Sequence, residues 1–496
     1  MISNKLILYY QAKQKDQWHS FDRQPWKHPW LTESNLRNMR VFSEEIRFQA
    51  KLIRAKLKKN DPKFGFVCNI ANSMYTLSKA LRPTGADITL VTHPGDDNIM
   101  SQPEWEEYDG FLKENIKSFS EAIRQGYVFS KVDHVLRGEI TSNWVSYDQM
   151  PSYVTQENYY QWRDYYAYLP VMKTLRQFDS LFAIQSPYLA YLSGKPYMAW
   201  HMGGDIWYEC SRNDMLGQLQ RASFSNASIF VASNPWSYAF ARRYGMRNMI
   251  YMPTPLNTHD YQLGLPEYRE PWEEETGGSF FVLTSARLDD LFKGSNIALE
   301  GFLQFSIKNP HARLLLIGWG ADLQGYQVRI EQMGLIGKVK VIPPVGKKRL
   351  IKYLRSAHCL LDQFVLGYYG MTALEAMAVG LPVIMRLEKD HYEAFSDAGC
   401  PPILNAKNAQ EVSDILSVLA KDTDMLREAG EKNREWFMNY SGSAEWADAY
   451  VDLLTVIASG HKFNFRHSPL SAPLSSEEII YHQNELNNAP PFPNYL

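Results

Sequence analysis

Apolar positions along this chain fall into short runs separated by helical stripes. Phe64–Ile70, Asp87–Thr92, Ser180–Gln185, Pro196–His201, Ala227–Ser233 and Met249–Met252 read as buried strands. Met74–Leu81, Tyr188–Leu192 and Trp236–Tyr244 read as helices between them. The alternation restarts with strands at Phe280–Ser285, Arg313–Ile317, Val339–Ile342, Cys359–Asp362 and Pro382–Met385. Helical stretches separate these at Ile297–Phe305, Leu323–Met333, Lys347–Leu354 and Met371–Ala378. Strands alternating with helices predict βαβ units and parallel sheets, here twice over. The stretch 264–278, rich in Pro, Gly and Glu, offers little to pack a core and reads as a linker. Two further helical stretches follow at Gln410–Ala420 and Met425–Phe437. A last helix carries Trp446, Tyr450, Leu453, Leu454 and Ile457 on one stripe.

The resulting division has an N-terminal Rossmann-like domain over 1–262, with helical insertions at about 95–175. A linker over 263–278, a second Rossmann-like domain over 279–440, and a C-terminal helix and tail over 441–496 follow, the last crossing back to the first domain. The tail 460–496, with five prolines, is expected to be irregular and draped on the surface. Aromatic residues crowd the insertion (Trp105, Tyr108, Phe111, Trp144, Tyr159, Tyr160, Trp162), where they serve either as core or as sugar-stacking surfaces. Ligands of doubly wound sheets bind beyond the carboxyl ends of the strands, so a cleft between two such domains is the expected site.

Composition narrows the class. The chain has 496 residues, 45% of them hydrophobic and 14% aromatic, which is a globular composition. Its net charge is −2, which argues against a general nucleic-acid binder. The four cysteines are widely spaced, give no zinc pattern, and suit a reducing, cytoplasmic compartment. Leu6–Tyr10 is too short for a signal segment, and no run of eighteen apolar residues is present. The basic helix predicted over 36–59 is compatible with peripheral contact to an anionic inner membrane face, or is simply a solvated face.

Two segments carry chemistry. In Thr284-Ser-Ala-Arg287-Leu-Asp-Asp-Leu-Phe-Lys293-Gly294, a strand ends in a loop that delivers two cations suited to a diphosphate. In Asp362-Gln-Phe-Val-Leu-Gly367-Tyr-Tyr-Gly370-Met-Thr-Ala-Leu-Glu375, a strand runs through a glycine-flanked turn into a helix whose N-terminus is an anion site. Glu375, about a turn into that helix, is placed to reach paired hydroxyls. Asp96-Asp97 and Asp289-Asp290 are not a metal D-x-D, and no His/Cys/Asp cluster has ligand spacing, so no metal is expected. Gly318-Trp-Gly320 reads as a tight turn.

Together the run S-A-R-x-x-x-x-x-K-G and, some eighty residues later, G-Y-Y-G-x-x-x-L-E-A-M-A-x-G-L-P-V-I resemble the nucleotide-sugar half of retaining GT-B glycosyltransferases of the family 4-like group. The resemblance spans roughly 180–455 and is strongest over 280–390. It implies a GT-B fold of two Rossmann-like domains facing each other across a cleft. It also implies a metal- and cofactor-independent transfer from a nucleotide-sugar donor to a glycan, lipid-linked or small-molecule acceptor, in polysaccharide or glycoconjugate synthesis. By the same resemblance, Arg287 and Lys293 hold the donor diphosphate, although their spacing is one residue longer than in many relatives. Glu375 takes the ribose hydroxyls, and the backbone N–H groups of Tyr369, Gly370 and Met371 meet the diphosphate and sugar. Many relatives carry a second Glu eight residues before the helix Glu; here that position is Gly367, which shifts the sugar contacts to Asp362 or Gln363. Lys195-Pro-Tyr-Met-Ala-Trp-His201-Met-Gly-Gly-Asp205 resembles the family strand that ends in a His facing the transferred sugar, which makes His201 the polar group expected from the first domain. Pro253–Asn257 matches the family imperfectly, and Ile70-Ala-Asn-Ser73 stands where relatives have a glycine-rich acceptor loop. Two other readings stay open: a GT-B phosphorylase, and a catalytically silent GT-B subunit.

Overall fold

The computed structural model describes residues 27–57, 61–113, 116, 118–141, 156, 165, 167–290, 292–320 and 323–488. The described residues form two compact units. One comprises 27–96, 133–253 and 447–488; the other comprises 97–132 and 254–446. Of the insertion's aromatics, Trp144, Tyr159, Tyr160 and Trp162 lie outside the described residues.

The first unit is built on a seven-stranded sheet: β1 (Lys63–Val67), β2 (Asp87–Val91), β3 (Val135–Leu136), β4 (Ser180–Ile184), β5 (Tyr197–Trp200), β6 (Ile229–Ala232) and β7 (Met249–Tyr251). Their order is β3-β2-β1-β4-β5-β6-β7, and every pairing is parallel. The predicted basic helix is Glu33–Lys56, capped by the Thr32 hydroxyl, which accepts from Asn35 N at 3.2 Å. Leu36, Met39, Phe42, Ile46 and Ala50 form its buried face. Tyr251 N donates to Ser43 Oγ (2.9 Å) and the Arg47 guanidinium to Tyr251 O (2.8 Å), which fixes this helix on β7.

The second unit carries β8 (Phe280–Thr284), β9 (Ala312–Ile317), β10 (Val339–Ile342), β11 (Cys359–Leu361), β12 (Val383–Met385) and β13 (Leu404–Asn405). The order β10-β9-β8-β11-β12-β13, again all parallel, is that of a doubly wound dinucleotide-type sheet. Both faces are buried, as helices on both sides require. Leu283, Leu315, Ile317, Leu360, Val383 and Met385 pack into one core. Their neighbours Val282, Leu314, Leu316, Cys359, Leu361 and Ile384 pack into the other. This is the period-two alternation of a pleated strand, hidden in sequence because both faces are apolar.

Three expectations change. The stretch 264–278 is not an unpacked linker. It contains helix Arg269–Thr276, whose Trp272 is 3% exposed and packs its ring against Phe281 (5.5 Å) and Tyr353 (5.2 Å). A single apolar residue among Glu270 and Glu273–Glu275 gives no stripe to read, yet one tryptophan suffices to anchor two turns. Among the described residues of the insertion the helices are short, at Pro103–Glu106, Phe119–Arg124 and Leu169–Leu175, with mostly irregular backbone between them. Its part 97–132 belongs to the second unit, not to the N-terminal domain. There Leu112 N donates to Pro344 O (3.1 Å), Gly346 N to Gly110 O (2.9 Å), and Phe111 bridges Val345. Ile99, Trp105, Leu112, Ile116 and Ala122 form a small core of its own. The tail is not wholly irregular either, because Ser476–Asn488 is helical. Pro490, Pro491 and Pro493 lie outside the described residues.

Candidate active site

In the strand order of the second unit the chain leaves β8 toward β9 on one side and returns at β11 on the other. The carboxyl ends of these two neighbours therefore open a crevice. Both sequence motifs end there. Beyond β8 the loop is braced: Leu288 N donates to Trp319 O (3.0 Å) and Trp319 Nε1 to Ser285 O (2.8 Å). The turn holding Trp319 passes so close that a Cβ on Gly320 would lie 2.9 Å from Leu288 O. The Gly-Trp-Gly turn is thus a brace for the Arg287 loop. The Arg287 side chain is 44% exposed and pairs with Asp289 at 2.7 Å.

Lys293 joins the two motifs. Its carbonyl accepts from Phe364 N (2.7 Å), and its ammonium donates to Gln363 Oε1 (2.6 Å). Burial holds that ammonium below its ordinary pKa, with the Asp362 carboxylate opposing the shift. Asp362 is itself 6% exposed; burial raises its pKa, Lys293 opposes this, and Glu375 adds to it. Gln363 is fully buried and uses both ends of its amide, accepting from Lys293 and donating to Tyr368 O. Its side chain thus acts as a strut for Lys293 rather than a free sugar contact.

Helix Met371–Ala378 starts at Gly370 and ends as the sequence predicts. Gly380 N bonds Met377 O (3.0 Å) and Leu381 N bonds Ala376 O (2.9 Å), a Schellman closure. The first N–H groups of a helix have no intrahelical acceptor. Beside them the space is open: a Cβ on Gly370 would meet nothing within 4 Å. Tyr369 departs from the expectation, because its N–H donates to Tyr392 Oη (3.3 Å) and its ring stacks on Tyr392 at 5.2 Å. That leaves Gly370 and Met371 as the turn's candidate anion donors.

Glu375 is 1% exposed. Its Oε1 accepts from Lys347 Nζ (2.6 Å) and from Tyr261 Oη (3.2 Å), while its Oε2 is buried with no hydrogen-bond partner. Burial opposes a charge on Lys347, yet the carboxylates of Glu375 and Glu106 push its pKa above the ordinary value. Burial and Glu375 together push Tyr261 well above the usual phenol range. Sequence reasoning missed Lys347, Tyr261 and Glu106. Lys347 does open a predicted helix just past the end of a strand, which is where site residues of such sheets collect.

His201 lies in the first unit, just past β5. It is 3% exposed, its Nε2 lies 2.6 Å from Ser237 Oγ, and its Nδ1 is buried with no partner. Burial holds its pKa down to about 3. The following turn is set by Asp205, whose carboxylate accepts the N–H groups of Met202, Gly203 and Ile206 at 2.9–3.1 Å. Burial, with Glu209 nearby, raises that carboxyl to about 7. At the crevice between β1 and β4, four non-glycine residues adopt positive φ: Cys68 (66°), Ala71 (49°), Asn72 (56°) and Gln185 (60°). Such conformations collect at functional sites. The segment that replaces a glycine-rich loop in sequence therefore takes left-handed turns without glycine.

The class defined by two Rossmann-like sheets and an anion-ready helix N-terminus in the second is the GT-B architecture. Solved structures of similar fold include Anabaena HepE in complex with UDP and glucose (13% identity, 79% of this chain and 99% of that one, TM-score 0.55) and sucrose-phosphate synthase from Thermosynechococcus elongatus (14% identity, 81% and 100%, TM-score 0.56). Residues 268–436 match the family described as Glycosyl transferases group 1. Among characterised relatives are the alpha-monoglucosyldiacylglycerol synthase of Acholeplasma laidlawii (26% identical over 120 residues, 24% of this chain and 30% of that one) and the mannosylfructose-phosphate synthase of Agrobacterium fabrum (30% over 116 residues, 21% and 25%). These matches span about a quarter to a third of the relatives' own length. No helix among the described residues is long and apolar enough to cross a membrane.

Proposed function

We propose that this protein is a retaining glycosyltransferase that moves a sugar from a nucleotide-diphosphate sugar to an acceptor hydroxyl in polysaccharide or glycoconjugate synthesis. One observation carries the reading: a buried carboxylate with one unsatisfied oxygen, Glu375 Oε2, five residues into a helix whose N-terminus opens onto free space. Five residues of helix span about 7.5 Å. An anion at Gly370–Met371 and hydroxyls at Glu375 therefore belong to one ligand with phosphate at one end and a diol a few ångströms away. A nucleoside diphosphate has that layout.

As the anomeric C–O bond breaks, negative charge grows on the leaving diphosphate. Arg287, Lys293 and the helix N-terminus are the groups proposed to stabilise it, in place of a metal ion. Arg287 must exchange its Asp289 partner for phosphate, while Lys293 is already held by Gln363. The acceptor hydroxyl attacks the same face, and the departing phosphate oxygen takes its proton. His201, neutral at physiological pH, is proposed to face the transferred sugar through its unpartnered Nδ1.

The test is thermal shift of the purified protein with UDP, GDP, ADP and CMP. A ligand at 100 times its Kd adds about 2.7 kcal/mol. One responder, lost in Arg287→Ala and Lys293→Ala, followed by hydrolysis of the matching nucleotide sugar, supports the reading. A response to inorganic phosphate or a sugar phosphate alone replaces it with a phosphorylase. Silence from all of them overturns it in favour of a non-catalytic subunit.

A further inference from the structure

The excursion 97–132 is encoded within the first half of the chain but packs on the second unit, and it docks at one place. Residues 106–112 run along 344–352. Besides the two backbone bonds and the Phe111–Val345 bridge, Glu107 pairs with Lys348 (3.0 Å), and Asp109 pairs with both Arg349 (3.0 Å) and Lys352 (3.0 Å). Contact is close enough that a Cβ on Gly346 would lie 2.2 Å from Tyr108 O. Lys347 sits in the middle of this clamp. Its side chain is 18% exposed and bonds Glu375 at 2.6 Å, with the buried Glu106 as a second carboxylate acting on its charge. Tyr261, from the stretch before helix Arg269–Thr276, adds the other donor to the same Glu375 oxygen.

We infer that Lys347 is a positioning residue for Glu375, and that the excursion, acting through Glu106, is a working part of the donor site. The reasoning is electrostatic and geometric. A carboxylate 1% exposed needs hydrogen-bond partners to hold one rotamer. Lys347 and Tyr261 both engage Oε1, which pins the side chain and leaves Oε2 as the acceptor for a ligand's hydroxyls. Helix Pro103–Glu106 packs against helix Lys347–Ser356, and its buried Glu106 is the second carboxylate whose field acts on Lys347, so the ammonium is held from the excursion side as well. The inference deepens the nucleotide-sugar reading and rests on it.

The test is hydroxyl discrimination, which a purely structural role would not move. Calorimetry measures the Kd of UDP, GDP and ADP and of their 2′,3′-dideoxy counterparts on the full chain. A hydrogen bond to a charged group contributes about 1.5–3 kcal/mol. The wild type is therefore expected to prefer one diphosphate over its dideoxy form by about tenfold or more. In Lys347→Met that preference falls to about twofold, mainly through weaker binding of the ribose form. In Glu106→Gln, which keeps both Lys347 and Glu375, it falls by an intermediate factor. Melting temperatures are recorded for both variants; if Lys347→Met is unfolded, Glu106→Gln decides alone. Full discrimination in a folded Lys347→Met, or in Glu106→Gln when it decides alone, overturns the inference and leaves the donor-site reading standing. Binding without discrimination in the wild type overturns it as well. No binding of any diphosphate by the wild type removes the donor-site reading itself.

Discussion

The C-terminal helix of the first unit is fastened by one buried carboxylate, and removing it has a calculable cost. Glu478 accepts from Arg242 Nε at 2.9 Å and from a terminal guanidinium nitrogen at 2.8 Å, with both side chains 3–4% exposed. The remaining Arg242 donors go to the carbonyls of Leu470 (3.1 Å), Ala472 and Pro473 (2.9 Å). The same carboxylate caps its own helix: Ser475 N donates to Glu478 Oε2 (2.9 Å), and Glu478 N donates to Ser475 Oγ (3.2 Å). Glu478→Ala leaves a buried guanidinium without its counterion, which costs about 3–5 kcal/mol. Hydrogen exchange of residues 469–482 reads the result as a loss of protection of roughly two to three and a half orders of magnitude, because 1.4 kcal/mol is about tenfold. An increase below about fivefold would refute the reasoning. A second imprint is pH. His28 and His482 share a 2.9 Å contact between their Nε2 atoms, and His28 Nδ1 accepts from Trp30 N (3.2 Å), so His28 donates. Both imidazoles are buried neutral. Burial, His482 and the Arg242 and Arg243 charges hold His28 down to about 4, with Glu478 opposing, and His482 is lowered by burial and the same arginines. Between the ordinary histidine value and about 4, His28 binds a proton when the tail is released that it does not bind when the tail is docked, and His482 shifts the same way. Docking therefore weakens as pH falls through this window, by at most about 1.4 kcal/mol per pH unit for each imidazole.

Trp272→Ala should cost about 3–5 kcal/mol, since the ring is the anchor of helix Arg269–Thr276; a change within about 0.5 kcal/mol in chemical denaturation would return 264–278 to the status of a linker. Lys293→Met should lower sugar transfer by about 10²–10³ while the melting temperature stays within a few degrees, because Met keeps the aliphatic stem and one hydrogen bond to Gln363 is lost. Gly367→Glu should destabilise by more than the about 1–2 kcal/mol that φ +70° alone costs, read in denaturant titration, because its Cβ would also meet Glu388.

The parallel α/β character and nearly every strand of both units were legible because fully buried parallel strands are short apolar runs set between helices, whereas the strand order came only from the structure. Helix Met371–Ala378 was legible to the residue, since a glycine turn opens it and Gly380 closes it. What was hidden depends on single residues or on distant partners. Helix Arg269–Thr276 hangs on Trp272 alone, and helix Ser476–Asn488 on Glu478, whose partner is 236 positions away. The assignment of 97–132 to the second unit is set by backbone pairing with 344–346, which leaves no periodicity to detect.

The site shows the same division. Residues clustered within the two motifs (Arg287 and Lys293; Asp362, Gly370 and Glu375) were legible as candidates because phosphate chemistry needs such groups at short spacing. Lys347, Tyr261 and Glu106 were not, because each comes from a separate segment. Gly367 lies between the two cases. Its departure from the family pattern was plain in sequence, but the reason for it was not. A Cβ there would lie 2.8 Å from Glu388 Cγ, and Glu388 is fixed by Arg386 at 2.6 Å while its own N–H bonds Gly367 O at 3.0 Å. The space and the backbone at 367 are already claimed by residue 388. Restoring a glutamate at 367 therefore requires shortening Glu388 as well: Gly367→Glu with Glu388→Ala should recover the part of the stability loss that comes from the clash, and leave the part that comes from positive φ.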